Sequence, residues 1–332
     1  MNNNKCYKGK GCFVISLDFE MMWGCHDWAT PYDYGFTNVK QVRNVISRML
    51  DLFGRYNVHA TFACVGLLFC KDKNEAIKQK PSLLPTYADT NKSPFKSEYI
   101  ESIADEYSKL YFADDVIEEL KKYPNIEIGT HTFSHYYCWE PGQTVEQFAS
   151  DLDAAIAMAE KFGVKLKSIV FPKNEVSQEY LDVCVEHGIT CYRGNASRFY
   201  DEPSSRFQAL KQRVGRLVDA YFNIGGNTSI SMENIELTKN IINIQASRFL
   251  RPSSKLLAFA EPLRLRRIKQ EMRYAARQGE LYHLWWHPHN FGDNLNSNFE
   301  ILERILKCFS ECRDKYNMKS YTMDELSMII NK

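Results

Sequence analysis

The 332-residue sequence has no excess of either charge, no apolar run long enough to cross a membrane and no paired-cysteine motif. Lys and Arg number 42 against 41 Asp and Glu. A balance this close to neutral argues against an obligate nucleic-acid binder, which carries a basic surplus. The apolar stretch at 58–70 contains His59 and is too short for a spanning helix. The run at 12–17 meets Asp18 too soon to serve as the core of a secretory signal. None of the ten cysteines forms a Cys-x-x-Cys pair, and several lie in apolar runs, where a thiol behaves as a small hydrophobe. The reading is a reducing cytoplasm, with neither a disulfide framework nor a zinc finger. Repeats and low-complexity segments are also missing.

Apolar and charged residues, at 44% and 25%, stand at globular levels, so the chain can bury a sizeable core. Aromatics reach 13%, enough to fill that core and still offer flat apolar faces to sugars. Short apolar runs at 12–19, 58–66, 126–129, 168–171, 189–192 and 281–286 read as buried strands. Between them lie helical patterns: Val42, Ile46, Met49, Leu50 and Phe53 share a face, and Thr144 with Gln147 forms a capping box. Helices are also expected at 98–110, 114–123, 177–187 and 298–317, then a short strand at 318–321 and a helix capped by Thr322 and Glu325. Residues 71–96 read as a polar surface excursion and 197–280 as mainly helical. Alternating strands and helices imply a parallel sheet, and with no linker in view residues 1–332 are expected to form one closed or nearly closed α/β barrel.

In such folds reactive groups gather at the C-terminal ends of strands. Five strand ends carry polar groups: Asp18 and Glu20; His131 and His135; Lys173, Asn174 and Glu175; Arg193 and Asn195; His287, His289 and Asn290. Asp18 and Glu20 are two apart and share a strand face, where they repel unless a cation or shared proton intervenes; pairing of one with a Lys or Arg is the plainer alternative. His131 and His135 have the four-residue spacing that puts two imidazoles on one side of a turn. Alone the pair is a weak signal; with a carboxylate at a neighbouring strand end it makes a two-histidine, one-carboxylate metal set with an open position for water. His287 follows an apolar strand, and Pro288, His289, Asn290 and Gly292 behind it read as a shaped loop rather than more core.

These segments resemble the polysaccharide deacetylases, the NodB-homology group or carbohydrate esterase family 4, as a divergent member. The match runs through Ser16-Leu17-Asp18-Phe19-Glu20, His131-Thr132-Phe133-Ser134-His135 and Leu284-Trp285-Trp286-His287, with support from residues 60–66 and 322–326. The resemblance implies a distorted (β/α)7 barrel, a divalent metal, most often zinc, and hydrolysis of an N-acetyl or O-acetyl group on a carbohydrate. It implies Asp18 as general base, His287 as general acid, and His131 and His135 as metal ligands. Two positions depart from the family pattern. Phe19 stands where a second Asp is usual, so Glu20 is the substitute ligand, with Asp18 as the alternative. The third family motif supplies an Arg to the base, but Phe171-Pro172-Lys173-Asn174 has none, leaving Lys173 or, failing that, Arg193 to hold Asp18. Trp23, Asn174, Trp286, His289 and Asn290 complete the candidate substrate-binding or base-orienting set.

Residues 240–280 carry nine Lys and Arg against three Glu, which reads either as a solvated helix face or as a cradle for the diphosphate of a nucleotide- or lipid-linked sugar. Peripheral membrane contact is open for the same reason. The leading expectation is a metal-dependent deacetylase of a sugar or glycan precursor in surface-polysaccharide assembly. Two rivals remain: an inactive sugar-binding member, and a metal-dependent amidohydrolase acting on a non-sugar amide.

Overall fold

The computed structural model describes residues 10–195, 225–235, 237–238 and 240–331, with Gly215, Val218, Asp219 and Tyr221 besides. Strand β1 (Cys12–Phe19) lies at the centre, and all eight of its residues are buried, as expected where helices cover a parallel sheet. From β1 the sheet runs one way through β2 (Ala60–Cys64), β3 (Ile126–Thr130), β4 (Ser168–Ile169) and β5 (Cys191–Tyr192) to β7 (Ile241–Asn243) and β6 (Leu237–Thr238). The other way it runs to β9 (Leu281–Trp286) and β8 (Arg248–Phe249). All of these neighbours are parallel except the hairpin pair β6 and β7. Strand β10 (Lys319–Tyr321) pairs with residues 12–14 of β1, while residues 16–19 pair with β2.

The segment from β7 to β8 curls the sheet on itself. The amides of Ile244 and Ala246 donate to the carbonyls of Tyr192 and Gly194, and those of Ser247 and Leu250 donate to His283 and Trp285. One ribbon thus bonds to β5 on one edge and to β9 on the other. The result is a distorted parallel α/β barrel.

Alternation sorts each strand into two faces. On β1, Phe13, Ile15, Leu17 and Phe19 pack in a large cluster with α1 (Val42–Tyr56) and later helices. Cys12 and Val14 belong to a separate cluster with Ala63, Val170, Cys191, Ile242, Leu281 and, from the final helix, Met323 and Leu326. That cluster fills the lower barrel, so the same parity carries Ser16 and Asp18 upward towards the mouth.

Further helices are α2 (Lys73–Lys78), α3 (Ser108–Tyr111), α4 (Asp114–Leu120), α5 (Val145–Lys161), α6 (Gln178–Glu186), α7 (Glu261–Gln278), α8 (Leu295–Tyr316) and α9 (Met323–Ile330). The capping boxes at Thr144–Gln147 and Thr322–Glu325 both form. Three expectations need correction. The excursion at 71–96 contains α2, capped by the Asp72 side chain on the Glu75 amide. The helix expected at 98–110 is confined to its last residues, because Glu98 takes a left-handed φ of 52° and turns precede Asp105. The span 197–280 is helical over 255–278 but not throughout where it is described: its segment 237–249 supplies three short strands; residues 196–214 lie outside the described set.

Candidate active site at the barrel mouth

A cavity of about 310 Å³ opens at the C-terminal end of the sheet, lined by residues including Asp18, Glu20, His131, His135, Lys173, Asn174 and His287. That volume is within the range of small-molecule sites. Asp18 is the last residue but one of β1, and Glu20 begins the loop beyond it. Both are buried.

Arg193, just past β5, grips Asp18 with two parallel bonds: Nη1 donates to Oδ1 at 2.6 Å and Nη2 to Oδ2 at 2.8 Å. Its fork is held in turn. Nη1 also donates to Ser16 Oγ at 3.0 Å, Nη2 donates to Asn174 Oδ1 at 2.9 Å, and Trp285 lies 4.1 Å from the guanidinium carbon. His283, pushed down to about 3 chiefly by burial and then by the Arg193 charge, stands neutral behind Ser16, with Nε2 2.8 Å from the hydroxyl. Burial raises the Asp18 pKa, but the Arg193 charge and bonds outweigh it and hold the carboxyl below its ordinary value.

Glu20 meets imidazoles on both sides. Its Oε2 lies 3.0 Å from His135 Nε2 and 3.4 Å from His131 Nε2, and its Oε1 lies 3.5 Å from His287 Nε2. Burial works against its charge too, yet His287, His131 and His135 together hold its pKa well below the usual carboxylate range. His131 Nδ1 donates to the Val170 carbonyl at 2.7 Å, so in the neutral ring Nε2 is the acceptor and turns at the carboxylate. Two lone pairs facing one another at that distance fit a cation between them. Glu20, His131 and His135 offer ligand atoms all within 4.8 Å of one another, a donor set suited to zinc or a similar ion.

The histidine loop is built by partners that spacing alone does not reveal. Thr132 and His135 adopt left-handed φ of 63° and 59°. Asp151, buried on α5, pins the turn: Oδ1 accepts the Phe133 amide at 2.6 Å, and Oδ2 accepts the Ser134 amide and hydroxyl. Gly24 lies against Glu20, so that a Cβ there would fall 2.1 Å from its carboxyl carbon. A glycine four residues after an acidic site residue was a readable but ambiguous signal for this close approach.

His287 sits half-buried at the mouth, with Nε2 3.7 Å from Asp18 Oδ2. Asn290 turns its amide to His287 Nδ1 at 3.3 Å and accepts the Tyr34 hydroxyl. His289 stacks on His287 at 5.1 Å, and burial pushes its pKa down to about 4.

Three assignments from sequence change. Lys173 does not hold Asp18: left-handed φ of 54° and 56° at Lys173 and Asn174 turn its ammonium over the Tyr137 ring, 3.8 Å from the centroid, and bring Asn174 to Arg193 instead. Trp23 is buried in the core, where its indole donates to the Tyr111 carbonyl at 2.6 Å. Trp286 points away from the cavity and stacks on Phe291; its neighbour Trp285 has the parity of His283 and His287 and lines the site. Asp27, Trp28 and Tyr137 also line it, and sequence reasoning passed over all three.

Four of the nine cations of the basic stretch at 240–280 are paired with acids. Arg248 pairs with Glu271, Arg267 with Asp219, Arg264 with Glu261 and Arg273 with Glu311, the first three in buried networks behind the sheet. The nine described cysteines are free and buried.

The fold and site define an α/β barrel with two anionic carboxylates and a histidine cluster at one mouth. The polysaccharide deacetylase family model matches residues 23–192, just over half of the sequence, and the chain belongs to that family. The matched span contains His131 and His135, while Asp18, Arg193 and His287 fall outside it. No curated protein matches the chain. Among solved structures, a Mycobacterium smegmatis protein assigned as a polysaccharide deacetylase shares the fold at a TM-score of 0.58 and 11% identity, over 97% of this chain and 91% of the other. The α-amylase AmyC of Thermotoga maritima aligns at 0.54 and 11% identity, over 96% of this chain and 74% of its own. A Bacillus anthracis pseudoenzyme of carbohydrate esterase family 4 aligns at 0.44 and 11% identity, over 97% and 66%.

Proposed function

We propose that the chain is a metal-dependent deacetylase that removes an N-acetyl or O-acetyl group from a carbohydrate, acting as one catalytic domain. The observation that carries this reading is the division of labour between two carboxylates two residues apart. Asp18 is claimed by an arginine fork, and Glu20 by two imidazoles whose free nitrogens converge on it.

Glu20, His131 and His135 would hold the divalent ion, with zinc the best fit to the nitrogen-rich set. An ion held there would supply Lewis acidity to the acyl carbonyl and to the attacking water. Asp18, kept ionised by Arg193, takes the proton from the attacking water. The same fork fixes its rotamer, so the base is oriented before substrate arrives. His287 faces the same volume through Nε2 and delivers a proton to the departing amine or alcohol. His289 is a poor substitute because burial keeps it neutral. Trp28, largely exposed, offers a flat face for a pyranose ring, and Trp285 lines the same cavity.

Among the described residues no helix is long and apolar enough to cross a membrane. A cytoplasmic place in surface-polysaccharide assembly is the setting we propose.

Release of acetate from N-acetylglucosamine oligomers and 4-methylumbelliferyl acetate tests the reaction. Asp18→Asn and His287→Ala should stay folded by circular dichroism and lose about 10²–10⁴-fold in kcat on the oligomers. Full activity in either variant would remove that residue from the mechanism.

A further inference from the structure

Away from the catalytic cavity, the approach to α7 turns an apolar ridge to solvent. Leu256 is 83%, Phe259 81% and Leu263 41% exposed. Leu256 and Phe259 lie three apart in the 3-10 segment Lys255–Ala260, and Leu263 follows four residues on in the first turn of α7. At those spacings the three side chains stand on one side. A single exposed leucine is ordinary, but three large apolar residues on one ridge mark a docking surface.

The charge around the ridge selects its occupant. Lys255 and Arg266 are exposed at its two ends, and among the described residues neither meets an acid. The acids nearby are engaged, Glu261 by Arg264 and Glu300 by Arg304 at 2.7 Å. Apolar side chains flanked by free cations match a surface with an apolar interior and an anionic skin.

A second cavity, of about 270 Å³, opens beside the ridge at the start of α8, lined by residues including Ser253, Lys255, Asn294, Ser297 and Arg304. Asn294 does not cap that helix, because its amide donates to the Ser253 carbonyl at 3.1 Å instead. The Ser253 hydroxyl is buried without a hydrogen-bond partner. An uncapped helix start, a spare hydroxyl and two basic side chains suit a phosphate group. Because Asn294 lies four residues beyond Asn290, its bond to Ser253 also puts the ridge at the end of the barrel where the catalytic cavity opens.

We propose that this ridge docks the protein onto an anionic phospholipid surface. Leu256, Phe259 and Leu263 enter the acyl boundary, Lys255 and Arg266 lie among the headgroups, and the second cavity takes up a lipid phosphate. The proposal is independent of the deacetylase reading and stands whether or not the chain hydrolyses an acetyl group.

Co-sedimentation of the full chain tests it, with vesicles of phosphatidylcholine alone and of phosphatidylcholine with about one third phosphatidylglycerol. The wild type should bind the mixed vesicles about tenfold more tightly than the neutral ones and be released by high salt. Leu256→Ser combined with Phe259→Ser should weaken binding to the mixed vesicles about tenfold or more. Lys255→Glu combined with Arg266→Glu should erase the preference for them. Both double variants should stay folded by circular dichroism and turn over 4-methylumbelliferyl acetate as the wild type does. Light scattering without lipid reports the oligomeric state alongside. A wild type that sediments with neither vesicle, or binding that either double variant retains in full, would overturn the proposal. So would a dimer that Leu256→Ser with Phe259→Ser dissociates, in a protein that ignores the vesicles, because the ridge would then belong to a second copy of the chain.

Discussion

At Asp18 burial and charge pull in opposite directions, and Arg193 decides the outcome. The sign follows from linkage: a depressed carboxyl keeps its charge, and its folded-state advantage, until the pH falls through the lowered value. Arg193→Lys keeps one cation but loses the fork, so the Asp18 pKa should rise, the acidic limb of the pH–rate profile should move up, and kcat/KM at neutral pH should fall about tenfold. An acidic limb that stays in place would free Asp18 from Arg193. Asp18, Glu20, His131, His135 and His287 were legible in the sequence because each sits at or just beyond a strand end, where parity and spacing are local properties. Arg193 was legible only as a second choice, since its partner lies 175 residues away. Lys173 misled because two successive left-handed residues cannot be read from Pro172-Lys173-Asn174. The tryptophan error was avoidable: a strand that sends His287 into the site also sends Trp285, two residues before it, and must turn Trp286 out.

One helix and one turn set the histidine geometry together. The His131–His135 turn has left-handed residues at Thr132 and His135, and Asp151 of α5 supplies the acceptors for its amides. Burial pushes Asp151 up to about 7 against those donors. The folded value then lies above the unfolded one, so stability from this group is greatest at low pH and is lost as pH rises through about 7. Asp151→Asn removes the titration and sets an amide donor against Ser134, at a cost of about 1–3 kcal/mol. In the presence of a chelator, the Tm difference between wild type and Asp151→Asn should therefore shrink from pH 5 to pH 8. A constant difference would show that Asp151 is ionised throughout. Capping boxes and apolar periodicity made the helices readable, but this clamp joins segments that only the fold brings together. The short strands at 237–249 were hidden for a similar reason: two- and three-residue strands take their identity from the neighbours they bond, not from periodicity.

Across the whole molecule the barrel is layered. A lower apolar layer around Val14, Ala63, Val170, Ile242 and Met323 gives way to the polar tier of Ser16, His283 and Arg193, and then to Asp18, Glu20 and the histidines at the mouth. The alternating strand pattern implied such a barrel. Arg248, Arg264 and Arg267, by contrast, are buried against Asp219, Glu261 and Glu271, so composition alone read as surface charge what is in part buried structure. We infer that this layering ends in a metal centre. Metal content is measured by inductively coupled plasma mass spectrometry after zinc reconstitution and desalting. Close to one zinc per chain is expected for wild type, and its loss in folded Glu20→Ala and His131→Ala. A wild type that retains no metal, or variants that retain as much as wild type, would contradict it.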